Sequence, residues 1–158
     1  MGLLFYPVTA LTVRQAGGWF PVRAVPVSPG TEFRVTWIHT VSKRPVSETF
    51  LIDGESQLCL KEMVFDHMGP GLPSYSEDGT AWTLKDGKAM VTGYRRCLDR
   101  LNLGVSPLGH RLEVGDSNWD LVAGIGPDRL ILVSVERTPM LLIVLAEVSR
   151  WRHSPSRS

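Results

Sequence analysis

The stretch Glu32-Phe33-Arg34-Val35-Thr36-Trp37-Ile38-His39 decides the fold. Phe33, Val35, Trp37 and His39 alternate with Glu32, Arg34 and Thr36, the period that places one set on each face of a strand. Short alternating runs recur on both sides, cut by turn residues. Upstream, Thr9–Arg14 and Trp19–Val25 flank Gln15-Ala16-Gly17-Gly18 and read as a hairpin. Downstream, Ser47–Asp53 closes on Asp53-Gly54, a strong turn pair, and Gln57–Asp66 follows. Beyond a Gly-, Pro- and Ser-rich loop from His67 to Gly79, Ala81–Leu84 and Lys88–Thr92 flank Asp86-Gly87 as another hairpin. Cys97–Val105, His110–Val114, Trp119–Ala123 and Leu130–Glu136 supply further strands. No stretch before residue 138 sustains a helical period, and Met140–Arg150 fits a short helix or a last strand equally well. The expected fold is all-β, an antiparallel β-sandwich or open barrel of about ten short strands, with a C-terminal helix as one possible ending. Residues 1–8 read as a short lead, 9–149 as a single β domain and 150–158, basic and Ser-rich, as a disordered tail.

Bulk properties narrow the function. A chain of 158 residues with 43% hydrophobic and 21% charged residues fits one globular domain with a real core. A net charge of +1 argues against a nucleic-acid binder and gives no reason to expect steering to acidic membranes. No run of apolar residues is long enough to span a bilayer, and Met1–Val8 has no Lys or Arg before its apolar part and is interrupted by Pro7, a poor signal peptide. Cys59 and Cys97 are too few for a zinc ribbon or a redox CxxC pair. They read as two small buried hydrophobes, with one disulfide as the alternative if the protein is exported. Of the five Trp residues, Trp19, Trp37, Trp82 and Trp119 read as core and rim, and Trp151 as exposed.

Ionisable residues on apolar faces are the first oddity. His39 falls with Trp37 and Val35, Glu48 with Phe50 and Ile52, and Glu62 with Leu58, Leu60 and Val64. A buried charge must be paired, so His39, Lys43, Glu48 and Glu62 are expected to satisfy one another around the bend that follows Ile38. Such a cluster fits a structural fixture, a ligand or partner site, or an acid–base pair. No nucleophile at a recognisable elbow stands beside it, and no catalytic residue is assigned. His39 and His110, with His67 and Glu48 or Glu62, are metal-ligand types without compact HxH or HExxH spacing, so no metal or other cofactor is assigned. The second oddity is Phe65-Asp66-His67-Met68-Gly69-Pro70-Gly71-Leu72-Pro73. Its glycines permit backbone angles closed to other residues, but no helix N-terminus follows to complete an anion site. It reads as a shaped turn and interaction loop.

Together these motifs resemble a known pattern. His39-Thr40-Val41-x-Lys43-x-Pro45-Val46-x-Glu48-x-Phe50 is similar to "HSVxKxPVxExF", and Phe65-x-x-Met68-Gly69-x-Gly71-Leu72-Pro73 is similar to "FxSxGxGxP". Both belong to a family of small bacterial proteins catalogued as domain of unknown function 1850. The opening hairpin, Pro29-Gly30 and the His110-Arg111-Leu112-Glu113-Val114 strand fit the same layout, over roughly residues 10–137. Thr40 replaces the usual Ser and keeps a hydroxyl. Members are commonly encoded beside TRAP-type transporters of the TAXI kind, which take up small organic acids with an extracytoplasmic binding protein. The resemblance therefore implies a non-enzymatic accessory or interaction domain, with the transporter's membrane subunit or its solute-binding protein as partner and with peripheral membrane association. It carries over His39, Lys43, Pro45, Glu48, Gly69, Gly71 and Pro73 only as characteristic positions, and no catalytic role. Many members begin with an export or anchor segment that Met1–Val8 does not provide. The expectation is an extracytoplasmic or membrane-associated protein if a longer N-terminus precedes this one, and a cytoplasmic protein otherwise. The other readings are a small-anion or metal binding module and, further off, a hydrolase using Glu48 or Glu62 with His39.

Overall fold

The computed structural model describes residues 3–74 and 79–151. After a 3-10 turn at Leu3–Phe5, the chain runs through β1 (Pro7–Gln15), β2 (Arg23–Pro26), β3 (Glu32–Ile38), β4 (Pro45–Ile52) and β5 (Leu58–Phe65). It continues through β6 (Ala81–Lys85), β7 (Lys88–Thr92), β8 (Cys97–Leu98), β9 (Arg100–Gly104), β10 (His110–Val114) and β11 (Ser117–Asp120). A short helix α1 (Leu121–Ile125), the long strand β12 (Leu130–Pro139) and the helix α2 (Met140–Trp151) complete it.

The strands form two antiparallel sheets and no closed barrel, so the sandwich alternative holds. One sheet has the order β2-β1-β12-β9; the other runs β11-β10-β3-β4-β5-β7-β6, with β8 beside the start of β5. The alternation read from Glu32–Ile38 sets the inner face of the larger sheet. Phe33 and Val35 pair across β3 and β4 with Phe50 and Glu48, and Val35 faces Leu112 on β10. Leu11, Val13, Ile131 and Val133 answer from the smaller sheet, all fully buried. Burying each such side chain is worth about 1.5–3 kcal/mol, which makes this inter-sheet layer the main source of stability.

A third layer lies outside the smaller sheet. Ala10 and Ala24 are small and fully buried, and Ile143 and Ala146 of α2 pack on them. The outward face of that helix carries Val144, Leu145 and Val148, all exposed.

The structure decides the open C-terminal ending and corrects several expectations, among them the strand expected over Trp19–Val25, which begins only at Arg23, and the one over Cys97–Val105, which divides into β8 and β9. Met140–Arg150 is helical, and the helix runs on through Trp151; the rest of the expected tail, 152–158, lies outside the described residues. Trp119–Ala123 is not one strand. Asp120 accepts a hydrogen bond from the Ala123 amide at 3.0 Å and caps α1, and Gly126 closes it with φ +110°. Cys59 and Cys97 are joined in a disulfide rather than buried as separate thiols. They sit opposite each other where β8 pairs with β5, a neighbour relation that their sequence positions do not show. Finally, the apolar phase of β5 switches. A register shift between Thr49 and Phe50 leaves Lys61 as the extra residue, so Leu58 and Leu60 point inward before it and Met63 and Phe65 after it. Glu62 thus leaves the face of Leu58 and Leu60 for the outer one.

Candidate functional site

The site begins where β3 ends. His39 donates its amide to the Arg44 carbonyl (2.9 Å), and Lys43 donates its own to the His39 carbonyl (2.8 Å), closing a tight connection into β4. Lys43 takes a left-handed backbone angle, φ +57°, and its side chain is exposed. Within this turn the Val41 and Ser42 amides donate to His39 Nδ1 at 3.3 and 3.2 Å. A nitrogen that accepts cannot carry the proton, so the proton sits on Nε2. Nε2 then donates to the Pro70 carbonyl at 3.0 Å.

Pro70 belongs to the glycine loop, so the two unusual stretches of the sequence meet at one imidazole. Gly69 lies against the ring: a Cβ there would come within 3.0 Å of His39 Cε1. The Leu72 amide donates to the Gly69 carbonyl at 3.1 Å across Pro70 and Gly71, and Gly71 has φ +83°. Pro at the second turn position and a left-handed Gly at the third make a type II turn. Leu72 packs on the cluster of Val46, Met63, Phe65 and Val91, so the loop is anchored from two directions. Arg44 and Asp66 add an exposed ion pair at its base, with Arg44 Nε 3.1 Å from Asp66 Oδ1. That hydrogen bond holds the Asp66 carboxyl below the usual range and raises Arg44. Neither residue stood out in the sequence; only the register that brings the end of β5 beside the start of β4 reveals them.

The other candidates lie elsewhere. Glu48 faces the interior between Val35 and Met63. Burial there pushes its carboxyl up to about 7, against a weaker pull from Arg96. Glu62 stands on the opposite face of the sheet, where it accepts from Thr49 Oγ1 at 3.1 Å. His110 is buried. Its Nδ1 accepts from the Ser106 amide at 3.2 Å, and burial lowers its pKa against an opposing hydrogen bond to Gly104. His67 is exposed, Pro45 opens β4 opposite Ile38, and Pro73 is half-buried. No hydrogen bond or ion pair links His39, Lys43, Glu48 and Glu62 among the described residues. The expected mutual cluster is therefore divided: His39 and Lys43 go with the glycine loop, Glu48 is inside and Glu62 outside.

Both nitrogens of His39 are engaged by backbone groups, which leaves no lone pair for a metal or a substrate proton while the loop is docked. A different set of metal-ligand types is close together, the Asp53 carboxylate and the sulfurs of Cys59 and Cys97. The disulfide removes both thiolates a metal would need. Beside the clasp lies a groove of about 410 Å³, lined chiefly by Phe65, Met68, Trp82 and Leu84. Its outer wall is β6, an edge strand of the larger sheet.

The model of the family described as Domain of unknown function (DUF1850) matches residues 33–121, more than half of the chain. The chain belongs to this family. The match runs from β3 to the start of α1, so it takes in the clasp, the glycine loop, the groove and the disulfide of this family-1850 domain. No curated protein and no solved structure matches the chain.

Proposed function

We propose that this family-1850 domain is a non-catalytic accessory of a TRAP transporter of the TAXI kind, docking on the membrane subunit or the solute-binding protein. The observation that carries this reading is the engagement of His39. Its two nitrogens hold backbone groups of two loops, so the signature residues shape a surface instead of exposing a reactive pair. The surface they shape has features of a docking site. Met68 and Val41 are exposed at the clasp, and β6, the edge strand of its sheet among the described residues, lies beside an apolar groove. Edge strands flanked by side-chain pockets commonly receive an extended partner segment. The Cys59–Cys97 disulfide supports placement outside the cytoplasm, since such bonds persist in oxidising compartments.

The test is site-specific photocrosslinking from Met68 and Leu84 in membranes that contain the cognate transporter. Adducts with the membrane subunit or binding protein are expected, lost when Gly69→Ala disturbs the clasp. Clean absence of both adducts overturns the proposal.

A further inference from the structure

A second surface, remote from the clasp and independent of the reading above, gathers most of the exposed large hydrophobic residues. Trp19 and Phe20, at the end of the β1–β2 connection, are 89% and 69% exposed. Phe5 and Tyr6 are 66% and 65% exposed. The two groups flank the same helix: the 3-10 turn at Leu3–Phe5 packs beside α2, the Met140 amide donates to the Tyr6 carbonyl, and Phe20 shares a hollow with Leu142 and Leu145. Val144, Leu145 and Val148 add exposed apolar side chains on the outward face of this helix. The hairpin tip is held in place, because Arg14 donates to the Trp19 carbonyl while paired with Glu136 at 2.6 Å. Apolar side chains this exposed, on an anchored scaffold, mark an interaction face.

Two features decide what covers it. Trp and Tyr at the rim of an apolar patch suit the headgroup level of a bilayer, where one end of the ring is apolar and the other wet. The sequence after Glu147 contains Arg150, Arg152, His153 and Arg157 and no acid. Basic residues that follow directly in the sequence from this helix complement anionic headgroups and are like-charged with those of a second copy. The helix, ~18 Å long, is too short to cross a bilayer and fits one that lies on it.

We infer that the face formed by Phe5, Tyr6, Trp19, Phe20, Leu145 and Val148 docks on the surface of an anionic lipid bilayer. The chain's small net charge does not count against this, because basic residues without acids are concentrated in the stretch of sequence that continues from this helix.

Vesicle co-sedimentation of the whole chain tests it. One set of vesicles is phosphatidylcholine alone; the other contains about one-third phosphatidylglycerol. Binding is expected to be at least about tenfold tighter on the anionic vesicles and to weaken with salt. The triple variant Trp19→Ser, Phe20→Ser, Leu145→Ser alters only exposed side chains and should lower binding by about tenfold or more with unchanged circular dichroism. Arg152→Ala with Arg157→Ala should remove most of the preference for anionic lipid. Absence of binding to either vesicle overturns the inference. So does equal binding to both, equal binding by the triple variant, or a dimer in sedimentation velocity that the triple variant dissociates.

Discussion

At the scale of single residues, His39 shows how a signature position can be structural and still define a surface. Its ring accepts two turn amides, donates to Pro70 and covers Gly69, so four interactions depend on one side chain. Replacing His39 with Ala should cost about 1 kcal/mol in urea unfolding, since it removes three hydrogen bonds of which only the one from Ser42 is part-buried. Gly69→Ala should cost a similar amount, because the new Cβ would press on the ring. The two changes should not add: with the ring gone, the methyl group introduced at position 69 has room. A double-mutant cycle giving full additivity would show that the ring and Gly69 do not interact. The sequence placed His39 and the glycines in the same region. It could not link them, because the acceptor is a backbone carbonyl and no residue type advertises that.

Among the elements, the strands were legible and the phase of β5 was not. Gly and Asp turns delimit β3, β4, β6 and β7 closely, and alternation assigns their faces. The bulge opposite Thr49 depends on which strand lies next to β5, so Glu62 was assigned the wrong face by counting from Leu58. The helix α1 was hidden for another reason. Five residues are too few for a period, and only the Asp120 cap and the Gly126 stop distinguish it. For α2, periodicity was ambiguous because the helix is apolar on two sides, one packed and one exposed. That difference is measurable. Ile143→Ala should cost about 2–3 kcal/mol, whereas Leu145→Ala should change stability by no more than about 0.5 kcal/mol. Equal effects would mean that both faces are covered in the free protein. The bond between β5 and β8 closes a sequence separation of 38 residues. Chain entropy assigns about 4 kcal/mol to such a loop, so Cys59→Ser with Cys97→Ser should lower the unfolding free energy by about that much. A loss well under half of it would indicate that β8 stays docked in the unfolded ensemble.

Across the whole molecule, two carboxyls pull the pH dependence of stability in opposite directions. Glu48 is raised to about 7 by burial, so the folded state holds its proton more tightly than the unfolded chain does. Its contribution is complete below the unfolded value of 4.5 and is lost as pH rises through 7, about 3 kcal/mol in total. Glu136 is lowered, first by its hydrogen bond from Arg14, so its contribution exists above the unfolded value and fades on acidification. Stability should therefore peak in mildly acidic solution. Glu48→Gln should flatten the alkaline limb and stabilise the protein by about 2 kcal/mol at about pH 8. An unchanged alkaline limb in that variant would mean that Glu48 ionises in water. The disulfide has one more consequence at this scale. Residues 60–96 form a covalent ring that contains the glycine loop, β6 and β7, including every residue lining the groove. A protease that cut once inside this ring would leave the protein in one piece until a reductant separated the fragments. A single nick there therefore cannot shed the groove from the domain.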